Sequence, residues 1–367
     1  MQIPSQNVRK SMVYIMNNNE RINEVIAFVR DVTGFLTFMG AFPTNGMGTG
    51  TKEVSTATAN DGIDPLTSQG SLTLSRDGRF LFAVNAGSNS ISSFIITDSG
   101  VPVLADVRPS GGTQPNSIGV FGNLLYVSNV GNAANRFNSN ISGFRIENNG
   151  RLTPIPGSTL SLSTFNAQPA QVLFTPDGSK IVVTELTTNR LSVYSVNQNG
   201  TVTGPIINNS YGMGPLGAYF LSSGILLVTE AMSNGLSSYS LSNVGKLHVI
   251  SGSVSNGQKT ACWVATTKDE RYAYTTNTLS GTITIYLIGP DGTLSVAGLI
   301  PSTPPGSAPG LPIDIGVSKD GRHFYTLNGN QGTISVFSIQ NDGSLVRLQV
   351  AAWTRFPYFG SQGLAVL

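Results

Sequence analysis

One short unit recurs along this chain, and a unit that recurs every few tens of residues restricts the fold more than any other property of a sequence. Ser71 opens SLTLSRDGRFLFAVNAGSNSISSFII and Gln171 opens QVLFTPDGSKIVVTELTTNRLSVYSV. Trp263 opens WVATTKDERYAYTTNTLSGTITIYLI, and Asp314 opens DIGVSKDGRHFYTLNGNQGTISVFSI. Weaker copies start at Ser117 and Gly217, and a seventh starts at Ser11.

Every copy parses the same way. An alternating apolar strand (A) runs into a turn of Asp-Gly type, which favours a tight hairpin. A second strand (B) ends in Asn or Glu. A polar B–C loop leads to strand C, which carries an aromatic residue. A second turn follows, as at Pro290-Asp291-Gly292 and Asn341-Asp342-Gly343, and then strand D and a long connection. The B-strand ends are Asn17, Asn85, Asn129, Glu185, Glu230, Asn277 and Asn328. Their spacing, roughly 52 residues, suits four-stranded blades. The expected fold is therefore all-β: a seven-bladed β-propeller of four-stranded antiparallel blades, forming one domain over residues 1–367. The first copy has no strand A of its own. Ser361-Gln362-Gly363-Leu364 at the C-terminus matches Ser68-Gln69-Gly70-Ser71, so the last strand is expected to complete the first blade and close the ring without an open edge. A solenoid would have no use for that matching strand. Residues 1–10 read as an N-terminal extension. Residues 44–66, rich in Gly, Thr, Asn and Ala, read as a long surface loop inserted between blades, of the kind that often covers a binding site.

Composition excludes several classes. Twenty-one basic against 19 acidic residues leave a net charge of +2, with no charge run and no basic footprint for nucleic acid. No apolar stretch is long enough to cross a bilayer as a helix. The polar N-terminus lacks the apolar core of a secretion signal, so a cytoplasmic monomer is expected. The single cysteine, Cys262, allows no intramolecular disulfide and no cysteine zinc site. It reads as a core residue on the far side of its strand from Trp263. His248 and His323 fall in strands away from the rim, which leaves a Ser-His-Asp or Cys-His mechanism without a base.

In a propeller, strand A lines the central channel, and the start of A and the end of B share one face. Repeat register then gives a polar funnel. From strand A come Leu364, Ser71, Ser117, Gln171, Gly217, Trp263 and Asp314; from strand B come the five Asn and two Glu already named. Glu185 and Glu230, equivalent on neighbouring blades, can share a proton and act as acid and base, with Asp314 as a third acid. With the Asn carbonyls they can alternatively hold calcium; otherwise each caps backbone N–H groups in its own loop. Gln171 and the rim residues Asn85, Asn129, Asn277 and Asn328 are expected to orient a ligand. Trp263 is expected to stack on a ligand or plug the channel, and Arg136 and Arg190 in the B–C loops to meet an anionic group. A small-molecule substrate, no organic cofactor and no nucleic-acid or membrane partner follow from this reading.

Ser68-Gln69-Gly70, the run from Phe82 to Asn89, Pro169-Ala170-Gln171-Val172, Ala261-Cys262-Trp263-Val264 and Thr275-Thr276-Asn277 give the whole chain from about Ser11 a family resemblance. The chain resembles the lactonase-type seven-bladed propellers, which include bacterial 6-phosphogluconolactonases and fungal 3-carboxymuconate lactonizing enzymes. The resemblance implies a lactone hydrolase or lactonizing enzyme acting on a small lactone or sugar-acid-like compound. A non-catalytic propeller that binds a ligand or a protein is the alternative. Phosphogluconolactonase-like members carry Gly-Pro-Arg-His at one strand A, where this chain has Gln168-Pro169-Ala170-Gln171; the Glu of their next motif is kept as Glu185. Without the Arg–His pair, a phosphorylated sugar lactone is an unexpected substrate.

Overall fold

The alternating segments form sheets whose middle strands are buried from end to end. Phe80–Asn85, for example, is covered at all six residues. Such a strand needs a neighbour on each face, and a ring of sheets packed face to face supplies it. The computed structural model describes residues 10–56, 60–353 and 356–367. Most of the expected N-terminal extension (residues 1–9) and part of the insertion (57–59) lie outside the described residues.

Seven sheets follow in chain order, each running A to D from the axis outward. Blade 1 comprises Leu364–Val366, Met12–Met16, Glu24–Arg30 and Leu36–Pro43. Blade 2 comprises Leu72–Leu74, Phe80–Asn85, Ser90–Ile96 and Pro102–Pro109. Blade 3 is Pro115–Phe121, Leu124–Asn129 and Asn140–Ile146, with an outer strand broken into Leu152–Pro154 and Leu160–Ser161. Blade 4 runs through Pro169–Phe174, Lys180–Glu185, Arg190–Val196 and Val202–Asn209. Blade 5 runs through Pro215–Phe220, Leu226–Glu230, Gly235–Leu241 and Leu247–Ser255. Blade 6 holds Ala261–Thr266, Tyr272–Asn277, Thr282–Ile288 and Leu294–Pro301. Blade 7 holds Pro312–Val317, His323–Asn328, Thr333–Ile339 and Leu345–Ala352. Leu364–Val366 pairs antiparallel with Met12–Met16, so the ring is closed by the two ends of the chain. Among the described residues the only helices are single 3-10 turns at Ala133–Asn135 and Thr278–Ser280, and no helix is long and apolar enough to cross a membrane.

Local chemistry explains the turns. Asp77 Oδ1 accepts from Ser75 Oγ at 2.6 Å and from the Arg79 N–H at 3.0 Å. Gly78 sits at φ +71°, a conformation costly for a side chain bearing Cβ. The A–B turn of blade 4 repeats this with Thr175, Asp177 and Ser179. On the same face, B-strand tyrosines of blades 1, 3 and 6 bolt each of these to the next blade. Tyr14 donates to Gly100 O and Tyr126 to Gly200 O, both at 2.8 Å, and Tyr274 to Gly343 O at 2.9 Å, each acceptor lying in the next blade's C–D turn.

On the opposite face, strand A of five blades carries a bulge near its start. The register slips between Pro115 and Ser117, Pro169 and Gln171, Pro215 and Ala218, Ala261 and Val264, and Ile313 and Ile315. A bulge adds a residue to one strand and re-aims its side chains.

Candidate functional site

The seven B-strand ends lie on the expected face but form no open funnel. Five of them, Asn85, Asn129, Glu185, Glu230 and Asn277, hydrogen-bond the crossover arriving from the preceding blade. Glu185, fully buried, accepts from Ser163 N–H at 3.1 Å, Ser192 Oγ at 2.6 Å, Thr188 Oγ1 at 2.8 Å and the Ser163 hydroxyl. Glu230, also fully buried, accepts at Oε1 from Gly212 N–H, Ser237 Oγ, Ser210 Oγ and Tyr239 OH within 3.1 Å. Asn85 donates to Ser92 Oγ at 2.8 Å and accepts from Thr44 Oγ1 at 2.7 Å. Asn129 donates to Asn140, Asn277 to Thr284 and Asn328 to Ser335, all at 2.8–2.9 Å. Glycine lets the crossover come this close. A Cβ on Gly46 would lie 2.3 Å from Asn85 Cγ, and one on Gly212 would lie 2.3 Å from Glu230 Oε2. The expected Glu185–Glu230 acid–base or calcium pair meets a different arrangement: each carboxylate is buried and hydrogen-bonded within its own blade and crossover, with Glu230 Oε2 left without a hydrogen bond among the described residues. Among the described residues no group of three or more His, Cys, Asp or Glu side chains is placed to hold a metal ion.

The strand-A residues are likewise engaged with one another. The Trp263 indole N–H donates to Ser68 O at 3.0 Å, and the ring is wholly buried. Gln69 spans the channel, donating to Val264 O at 2.9 Å and accepting from its N–H at 3.0 Å. Gln171 Oε1 accepts from the Ala218 N–H at 2.5 Å. Trp263 therefore plugs the channel, and Gln171 is spent on the next blade. The bulges account for the difference from simple register: in blades 5 and 6 it is Leu216 and Cys262, one residue earlier than expected, that reach the mouth. Arg136 ends the Ala133–Asn135 turn at φ +57°, exposed, and Arg190 Nη1 donates to Ser163 Oγ at 3.1 Å. Neither lines the cavity at the mouth.

That cavity has a volume of about 510 Å³ and lies over blades 4 to 6. Leu186, Leu216, Ala231, Met232 and Leu279 form its floor and far wall, and Ile63, Glu53, Asp61 and Asp64 of the insertion form the near wall. The described residues of the insertion form no regular secondary structure yet are tied down at several points. Asn18 Nδ2 donates to Thr49 Oγ1 at 3.1 Å and to Gly360 O at 3.1 Å. Gly360 N–H donates to Gly62 O at 2.8 Å, Thr56 N–H to Gln168 Oε1 at 3.0 Å and Leu66 N–H to Gln362 Oε1 at 2.7 Å. Val54 and Leu66 are buried in the core beneath it.

Its acids are poorly solvated. Both carboxylate oxygens of Glu53 and Oδ1 of Asp64 are shielded from solvent without a hydrogen bond of ordinary geometry among the described residues. Burial, reinforced by the charge of Asp61, pushes Glu53 up to about 8; the Gly62 and Asp64 N–H groups and the Thr67 hydroxyl pull more weakly the other way. Burial, then Glu53 and Asp314, hold Asp64 well above the usual carboxylate range. Burial also lifts Asp314 to about 7, against the pull of the Gly363 N–H and the Trp263 indole. Cys262 is inert as a nucleophile, because burial and Asp64 push its thiol up. The three acids form a chain from cavity to channel that resists carrying a full charge at each carboxyl.

The sequence profile of the lactonase seven-bladed β-propeller family matches residues 7–155 and 171–357. The chain belongs to that family. Among solved structures, a proposed 6-phosphogluconolactonase of Bacteroides uniformis superposes with a TM-score of 0.73 at 18% identity, covering 98% of this chain and 100% of that one. The periplasmic gluconolactonase of Pseudomonas aeruginosa gives 0.71 at 16% identity, over 97% and 99%. A hypothetical selenium-binding protein of Sulfolobus tokodaii gives 0.69 at 12%, over 97% and 93%. At these identities the likeness is one of fold. No curated protein matches the sequence. The lactonase profile skips residues 156–170, a gap that takes in Gln168-Pro169-Ala170.

Glu53, Asp61 and Asp64 escaped the reading from repeats because they belong to no repeat. The signal was present: three acids fall within twelve residues of an insertion whose only other charge is Lys52.

Proposed function

We propose that the chain opens or closes the ring of a small lactone in the cavity beneath the insertion, with Glu53 and Asp64 handling the protons. The observation that carries this reading is the wall itself: the poorly solvated carboxyls of two neighbouring acids, Glu53 and Asp64, on a cavity lined largely by apolar side chains, at the channel mouth of a lactonase-family ring. Two acids that cannot both ionise hold a proton and an acceptor at once near neutral pH. In hydrolysis, water adds to the lactone carbonyl carbon while the ionised carboxyl takes its proton. The endocyclic C–O bond then breaks, the ring oxygen leaves with the proton of the other carboxyl, and a hydroxy acid results. Lactonization is the same path in reverse. Asp314, one layer below, acts on the charge of Asp64 rather than on substrate.

The test is turnover of a panel of five- and six-membered lactones, followed by acid release. Glu53→Gln and Asp64→Asn should each lower kcat by about 10²–10⁴-fold, with melting temperature unchanged or raised. Full activity in both variants would overturn the assignment. A lactone that raises the melting temperature but is never turned over would make the cavity a binding site instead.

A further inference from the structure

We propose that the ligand of this cavity is an uncharged lactone bearing an apolar substituent, and that phosphorylated and carboxylated sugar lactones are excluded. The inference rests on the reading above and adds the substrate class. Its first support is the wall facing the acids, built from Leu186, Leu216, Ala231, Met232 and Leu279. Met232 and Leu279 are 49% and 59% exposed, so an apolar surface is presented to solvent at the entrance where water gains nothing from it.

The second support is that two of the polar groups between these apolar residues are already used. Thr278 Oγ1 donates to Pro312 O at 3.0 Å, and Asn234 Oδ1 accepts from the Thr260 N–H at 2.7 Å. A sugar lactone would bury several hydroxyls against this wall with few partners, at a cost for each one left unpaired. The third is charge. Among the described residues one cation, Lys259, lines the cavity against Glu53, Asp61 and Asp64, and no arginine does. A phosphate or second carboxylate would bring negative charge towards these acids without a bidentate partner. The last support is size: about 510 Å³ is far more than a bare five- or six-membered ring fills.

Binding can be separated from turnover by using lactams, which keep the ring and carbonyl but resist hydrolysis. Calorimetric titration of the full chain with γ- and δ-lactams carrying unbranched alkyl chains of increasing length should show affinity rising roughly fourfold per methylene until the cavity is filled. Gluconolactam and its 6-phosphate should neither bind nor compete. Met232→Ser and Leu279→Ser change exposed side chains that the fold tolerates, and each should flatten the chain-length dependence. Affinity independent of chain length, tighter binding of the sugar phosphate, or no binding of either series would each overturn the proposal. Chain-length-dependent binding without hydrolysis of the matching lactones would sustain it while removing the acid–base roles of Glu53 and Asp64. Hydrolysis of 6-phosphogluconolactone alone would do the reverse.

Discussion

Asp314 Oδ2 accepts the backbone N–H of Gly363 at 2.6 Å, joining strand A of blade 7 to the residue that leads into the closing strand of blade 1. The acceptor is 2% exposed and sits at φ +40°, a conformation that a bulge imposes and a non-glycine residue adopts rarely.

This contact carries a pH signature. Asp314 holds its proton up to about 7 when folded and loses it near the ordinary value of 3.8 when unfolded. Between those values the folded state binds more protons, so this group makes stability fall as pH rises, and the fall ends above about 7. Asp314→Asn keeps an oxygen for Gly363 and removes the ionisation. The variant should melt higher than wild type at pH 8, by a few kcal/mol, since each tenfold change in proton affinity is worth about 1.4 kcal/mol. The gap should be smaller at pH 5. Calorimetry across that range decides it, and parallel curves would refute the buried charge.

Glu185 is expected to matter for folding and not for turnover. Its removal in Glu185→Ala strands the donors of Ser163, Thr188 and Ser192 in a buried site. A loss of about 3 kcal/mol or more in urea melts should follow, with kcat per folded molecule unchanged. A variant of normal stability that has lost activity would return Glu185 to the chemistry.

The crossover glycines should be intolerant of even one methyl group. In Gly46→Ala the new Cβ meets Asn85 and forces blades 1 and 2 apart. The expected cost is about 1–3 kcal/mol, read as a lower midpoint in denaturant. Combining it with Asn85→Gly should recover part of that cost, because that change removes both the Cγ at 2.3 Å and the Cβ at 2.6 Å from the new methyl group.

Shortening the chain after Gly363 should leave Met12–Met16 as a bare inner edge. That strand now exchanges hydrogen bonds with Leu367 and Gly363 and pairs Tyr14 with Ala365. An unpaired, fully apolar edge invites intermolecular pairing. Size-exclusion chromatography of the shortened chain should show aggregates or a swapped dimer, and a stable monomer would show that the ring does not depend on its clasp.

The repeats made the ring, its seven blades and its closure readable, because turn chemistry and strand alternation are local and recur at each copy. The face on which Glu185 and Glu230 lie was readable for the same reason. Their surroundings were not, since nothing local says that the previous blade's crossover passes within hydrogen-bond reach of them. Cys262 reaches the mouth, against expectation, because the bulge between Ala261 and Val264 re-aims the side chains there. Glu53 and Asp64 meet Leu186, Leu216 and Cys262 only through contacts spanning more than a hundred positions, which no pattern of neighbours reveals.

The closing strand also sets an order of events. Blades 2 to 7 are each made of continuous chain and can form as they leave the ribosome. Blade 1 cannot, because Met12–Met16 waits for Leu364–Val366, which is synthesised after all the others. The floor of the cavity, in blades 4 to 6, can thus be in place before the ring closes. The insertion that supplies Glu53 and Asp64 is moored partly through Gly360 and Gln362. A nascent chain would therefore acquire its acids last, and a stalled or shortened product would be left with an empty apolar cup.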